Sequence, residues 1–98
     1  MFIGNCMISE KYLNQIKDII GEEKLEKGRF FIFGSSLERE SFGDVDIGFW
    51  GDIKGGDLMR LKEDFEESTL PYEVDFVDFS SVNKNFRNQV LSQKILEI

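Results

Sequence analysis

Two runs decide how this chain reads: Arg29-Phe30-Phe31-Ile32-Phe33-Gly34-Ser35-Ser36, and then Phe42-Gly43-Asp44-Val45-Asp46-Ile47-Gly48-Phe49-Trp50. The first is a short stretch of β-favouring residues stopped by glycine, the pattern of a buried strand from Arg29 to Phe33. Val45 to Trp50 reads as a second strand, with Gly51-Asp52 as its exit turn. Between them, Ser35 to Glu40 is polar enough for a loop or a single helical turn. Asp44 and Asp46 stand two apart, and strand side chains alternate in direction. Both carboxylates therefore point to one face while Val45 and Ile47 point to the other. Two like charges side by side cost stability unless the face is solvated or a cation lies between them. Mg2+ suits the second case, because it takes hard oxygen ligands, typically one or two carboxylates plus substrate phosphates.

Gly34-Ser35 lies where the first strand ends. A glycine there lets backbone approach a ligand closely. The N–H groups of a following turn, with the serine hydroxyls, make a site for phosphate oxygens. An acidic pair repels a triphosphate unless divalent cations bridge them, so the two halves of the motif make chemical sense together only with such ions. Each half alone is ordinary. Gly-Ser-Ser occurs in common turns, and Asp-x-Asp on a strand is often a solvated edge. The ordered combination, with Asp75 on a later strand, is what carries the argument.

The rest of the chain alternates helices with strands. Tyr12, Leu13, Ile16, Ile19 and Ile20 recur at helical spacing from Ser9 to about Lys27, and Gly28 ends that helix. A second helix is expected from about Gly56 to Ser68, with Leu58, Leu61 and Phe65 on one face. Pro71 marks the connection to a third strand, Tyr72 to Phe79, in which Val74, Phe76 and Phe79 alternate loosely with Glu73, Asp75 and Asp78. Val82 to Ser92 reads as a short helix, and Lys94 to Ile98 as a last edge strand. This order gives an α/β (α+β) fold, a small mixed β-sheet flanked by helices, in one domain spanning residues 1–98.

Composition narrows the chemistry. The 98 residues, 41% of them hydrophobic, form a core limited to burying roughly 60–65% of the unfolded surface. Ten phenylalanines make that core efficient. With no histidine, the Ser-His triad and most zinc sites are excluded, so catalysis would fall to carboxylates, Lys, Tyr, Ser or metal ions. A net charge of −7 argues against general nucleic-acid binding and against an anionic membrane surface. Residues 79–98 run against this balance at +2, through Lys84, Arg87 and Lys94 against Glu97, either as a solvated helix face or as a patch facing an anion. The single Cys6, in a chain with no histidine to activate it, forms no internal disulfide and fits a reducing cytoplasm. No signal peptide and no membrane-spanning stretch is recognisable. Phe49 and Trp50 are read as core aromatics rather than a base-stacking platform.

Taken in order, Gly34-Ser35, the short link, Asp44-Val45-Asp46 and Asp75 within Tyr72-Glu73-Val74-Asp75-Phe76-Val77-Asp78 resemble the nucleotidyltransferase fold shared with DNA polymerase β. The resemblance extends over nearly the whole chain and points to the minimal nucleotidyltransferase branch, the antitoxin-type partners of HEPN proteins. It implies that Gly34, Ser35 and Ser36 hold nucleotide phosphates, with Arg39 as a further phosphate ligand. It implies that Asp44 and Asp46 bind two Mg2+ ions, with Mn2+ as a substitute, and that Asp75 completes the metal site and helps deprotonate the attacking hydroxyl. Asp75 alternates correctly for that role, whereas Asp78, at odd spacing, is read as a solvated residue or turn former. The reaction implied is transfer of a nucleoside monophosphate, AMP from ATP, to a hydroxyl such as a tyrosine on a HEPN-like partner. Two features depart from the family pattern: the link between Ser35 and Asp44 has only eight residues, and Ser36 stands where an arginine is common. A second function class therefore stands beside the first, a non-catalytic antitoxin that neutralises its partner by occlusion. The bland reading is a small α/β domain with an acidic strand face and no site.

Overall fold

The computed structural model describes residues 8–22, 28–34, 43–51, 53–93 and 95–98. Seven elements follow one another: α1 (Glu10–Glu22), β1 (Arg29–Phe33), β2 (Asp44–Trp50), α2 (Gly55–Glu67), β3 (Glu73–Asp78), α3 (Lys84–Leu91) and β4 (Ile95–Glu97). The strands form one mixed sheet in the order β3-β2-β1-β4. β1 pairs antiparallel with both β2 and β4, and β2 pairs parallel with β3. A parallel pair cannot be joined by a hairpin, and α2 supplies the crossover.

The alternation of the strands decides which face each helix covers. Phe30, Ile32, Val45, Ile47, Phe49 and Leu96 face the same side and pack with Leu13, Ile16 and Ile19 of α1 and Leu61 and Phe65 of α2. The helical spacing of those apolar residues is what creates the matching stripes. α1 begins where the Leu13 N–H donates to the Ser9 carbonyl, and its expected continuation to Lys27 falls outside the described residues. α3 is started by Asn83, whose side-chain oxygen accepts from the Asn85 N–H, the usual reason for an Asn at a helix start.

The opposite face of the sheet is divided. One half is apolar, with Phe31, Phe33, Phe79 and Val90 buried and Trp50, Val77, Val82 and Ile95 packed against them. Phe79 lies edge-on to Phe31, Phe33 and Trp50, with ring centroids 4.8, 5.3 and 5.9 Å away, a geometry that aromatic quadrupoles favour. This corrects the expected alternation of β3. Phe79 follows Asp75 and Val77 onto this second face, while Val74 and Phe76 pack on the α1–α2 side. The chain turns just after Asp78, and Phe79 is drawn into the aromatic cluster. Trp50 belongs to the same cluster, as expected of a core aromatic. The other half of this face carries the acidic residues of β2 and β3.

Gly48 makes the aromatic half possible. A Cβ built there would lie 2.4 Å from Cζ of Phe31 and 2.7 Å from Cε1 of Phe79. Both rings rest directly on the glycine backbone. Gly48→Ala should destabilise the protein by about 1–3 kcal/mol, the usual cost of forcing a methyl into a filled core. Equilibrium urea unfolding reads this directly, and an unchanged midpoint would mean that the rings are free to move aside.

Candidate functional site

The acidic half of the second face is built by strand register. Asp44 and Asp46 point to one face of β2 because they are two residues apart. In the parallel pairing, Asp46 lies directly beside Asp75, and Asp44 directly beside Glu73. Asp44, Asp46, Glu73 and Asp75 thus form a two-by-two block of carboxylates on one face. Glu73 was not anticipated as a neighbour of the site. The signal was present in the spacing Glu73-Val74-Asp75, which matches Asp44-Val45-Asp46, but only the register of the parallel pair aligns the two triplets. Asp78 is a turn former, as expected: its carboxylate accepts from the Ser80 N–H at 2.9 Å and the Ser81 hydroxyl at 3.0 Å.

Gly34 ends β1 beside this block. Its φ is +85°, in the region where side-chain-bearing residues are strained. A Cβ at Gly34 would stand 2.8 Å from Oδ2 of Asp46. The glycine is therefore required twice, for its dihedral and for the close approach of the carboxylate. Ser35, Ser36 and Arg39 lie outside the described residues. Lys84 and Arg87 lie on α3, which covers the aromatic half of the face, Lys84 exposed and Arg87 half-buried.

Electrostatics single out Asp46. It is half-buried between Phe33, its partner on β1, and Asp75 on β3. Burial pushes its carboxyl above the ordinary carboxylate value, and the charges of Asp75 and then Asp44 raise it further. Among the described residues, no side chain makes an ion pair or hydrogen bond to any of the four carboxylates. The block is a local excess of negative charge set in a partly apolar surface.

The residues fit a hard divalent cation in donor chemistry. Carboxylate oxygens are the ligands Mg2+ prefers, and a cation would relieve the repulsion that raises Asp46. The block is not a finished chelate, however. Among the described residues, no group of three His, Cys, Asp or Glu side chains is gathered closely enough to hold an ion by itself. An ion held by one or two of these carboxylates would need further oxygens from a ligand or from water, as Mg2+ at phosphate sites does.

A strand ending in a positive-φ glycine thus lies beside an Asp-x-Asp strand, with a third aspartate in register, and comparison with known proteins assigns the chain to a family. The family described as polymerase beta, nucleotidyltransferase, matches residues 14–97, so the chain belongs to that family. Solved structures that share its fold include two from Shewanella oneidensis. One is from the complex of a tri-AMPylated Shewanella oneidensis HEPN toxin with an MNT antitoxin, at 22% identity and a TM-score of 0.63, covering 88% of this chain and 68% of the other. The second is a crystal structure of a Shewanella oneidensis protein, at 20% identity and a TM-score of 0.65, covering 91% of this chain and 71% of the other. No curated protein sequence matches the chain closely enough to count as a relative. No helix among the described residues is long and apolar enough to cross a membrane.

The raised Asp46 has a thermodynamic consequence. The folded protein binds the Asp46 proton more tightly than the unfolded chain does, so this group lowers stability as pH rises from the ordinary carboxylate value through the raised one. Asp46→Asn mimics the protonated form at every pH. Without divalent ions, the variant should match the wild type at the acid end of that interval and exceed it above, by up to about 1 kcal/mol for relief of a like-charge neighbour. Urea unfolding of both proteins across pH measures the gap, and a gap that closes as pH rises would contradict it. Gly34→Ala should cost about 1–3 kcal/mol through its dihedral and its contact with Asp46, seen as a lower unfolding midpoint in the same assay.

Proposed function

We propose that this chain transfers AMP from ATP to a hydroxyl on a partner protein, in a Mg2+-dependent reaction, as one member of a pair with a HEPN-type protein. Family membership supports the transferase class. The observation that carries the proposal is the register that sets Asp46 beside Asp75, with Asp44 next to them on the same face and Gly34 beneath Asp46. The HEPN partner and the AMP moiety are supported by the fold neighbour, whose complex holds an AMPylated HEPN toxin with its MNT antitoxin.

In this reading Asp44 and Asp46 hold the cations together with the triphosphate. Gly34 leaves room for phosphate to approach the strand end, and Ser35, Ser36 and Arg39 supply phosphate contacts. When bound, Mg2+ would offset the charge of the phosphate oxygens and of the departing pyrophosphate. Asp75, in register with Asp46, is taken to complete the metal site and to receive the incoming hydroxyl. The acceptor oxygen forms its bond to the α-phosphorus as the bond from that phosphorus to the bridging oxygen breaks, and pyrophosphate leaves. Asp75 accepts the hydroxyl proton. Because the carboxylates do not form a chelate alone, cation and nucleotide bind as a unit.

Thermal denaturation tests the last point first. Mg2+ alone should shift the Tm little, whereas Mg2+ with ATP at about ten times its Kd should raise it by several degrees. Asp44→Asn should abolish the response. The direct assay incubates the protein with Mg2+, α-labelled ATP and its co-purified HEPN-type partner. Label should pass to the partner, and Asp44→Asn, Asp46→Asn and Asp75→Asn should each reduce the rate by roughly 100-fold or more. A tight complex that never acquires label would leave neutralisation by occlusion as the function.

A further inference from the structure

β3 is an outer strand. One of its edges pairs with β2, and no described strand pairs with the other. Along it, α2 and β3 enclose a groove of about 330 Å³. Tyr72, Val74 and Phe76 line the groove from the strand side, Lys62 and Glu66 from the helix, and it reaches Asp75. The groove on the helix side and the carboxylate block on the other face therefore meet along a single strand.

That strand imposes a pattern on anything that pairs with it. A segment adding to a sheet edge alternates its side chains with the same period of two. The residue set beside Asp75 turns its side chain onto the carboxylate face. Its two sequence neighbours turn theirs to the α2 side, next to Val74 and Phe76 and the groove. The residues one further out return to the carboxylate face, where one of them lies beside Glu73. The edge is also selective by charge. β3 reads Glu-Val-Asp-Phe-Val-Asp, three acidic residues in six and no basic one. A second copy pairing edge to edge would bring carboxylates against carboxylates, which is destabilising, whereas a basic segment is attracted.

We propose that the outer edge of β3 and the adjoining α2 groove form the docking site for the acceptor, an extended basic segment of the partner protein that adds to the sheet as a strand. In that segment a hydroxyl-bearing residue lies beside Asp75, apolar residues on either side of it enter the groove, and a Lys or Arg one position further out faces Glu73. The role of the hydroxyl rests on the transfer reading above, but docking requires neither cation nor nucleotide.

The probe is the symmetric peptide Val-Lys-Val-Tyr-Val-Lys-Val, titrated into the full chain without metal or nucleotide and followed by amide NMR shifts and by anisotropy of a labelled copy. The expected result is saturable binding with shifts confined to residues 62–66 and 72–78. An analogue methylated on alternate backbone nitrogens, and one with Glu for both Lys, should each bind at least about tenfold more weakly. The double variant Glu66→Lys, Glu73→Lys changes only exposed side chains and should reverse the preference towards the acidic peptide. Absence of saturable binding, equal affinity for the methylated analogue, shifts centred on α3 and β4, or self-association of the free protein through β3 would each overturn the proposal. The two readings separate in the labelling assay with Glu66→Lys, which leaves the carboxylate block intact. Transfer to the partner at the wild-type rate would remove the docking site and keep the transferase. A docked peptide or partner that never takes label would do the opposite.

Discussion

The parallel pairing of β2 with β3 is the constraint on which the rest of this structure depends. Its register sets Ile47 beside Phe76 on one face and Asp46 beside Asp75 on the other. The same ladder thus packs the core under α1 and α2 and concentrates negative charge on the reverse side. A slip of one residue would exchange those faces along a whole strand. It would bury Asp44 and Asp46 beneath the helices, at a cost no ordinary small domain can absorb. The apolar requirement of the core therefore enforces the acidic block, and the block is held in place by the ladder that packs the core.

Placing a destabilising cluster on that scaffold has a physical sense. Asp46 is raised by partial burial and by two neighbouring charges, and such perturbation marks functional sites more often than chance. The aromatic half of the same face contributes to the effect. Phe31 and Phe79 close over Gly48, and with Phe33 and Trp50 they bury the sheet up to Phe33, the partner of Asp46 on β1. The face therefore passes from a packed interior to a charged surface within two residues of β2. A site at such a boundary is rigid on one side and open to ligand on the other.

Much of this was legible in the sequence. Periodicity marked each helix and strand, because the apolar residues that build the core are spaced by the elements themselves. Asp44, Asp46 and Asp75 could be picked out by alternation together with their order after Gly34-Ser35 and the family resemblance, and Asp78 set aside for its odd spacing. Two things could not be read along one dimension. The neighbourhood of Glu73 and Asp44 depends on register between strands that stand far apart in sequence. The exact place of Phe79 depends on where β3 gives way to a turn, which the hydrogen bonds of Asp78 determine. Ser35, Ser36 and Arg39, the expected phosphate contacts, lie outside the described residues, so the phosphate half of the site rests on sequence and the carboxylate half on geometry.

The central claim is that the carboxylate block binds a divalent cation jointly with a nucleotide. Mn2+ added to isotopically labelled protein, with and without a non-hydrolysable ATP analogue, tests it through paramagnetic broadening of amide signals. The account predicts that with the analogue present the signals of Gly34, Asp44 to Asp46 and Glu73 to Asp75 vanish first, those of α3 persist, and Asp46→Asn removes the effect. Broadening spread over the acidic surface at large, or identical in Asp46→Asn, would contradict it.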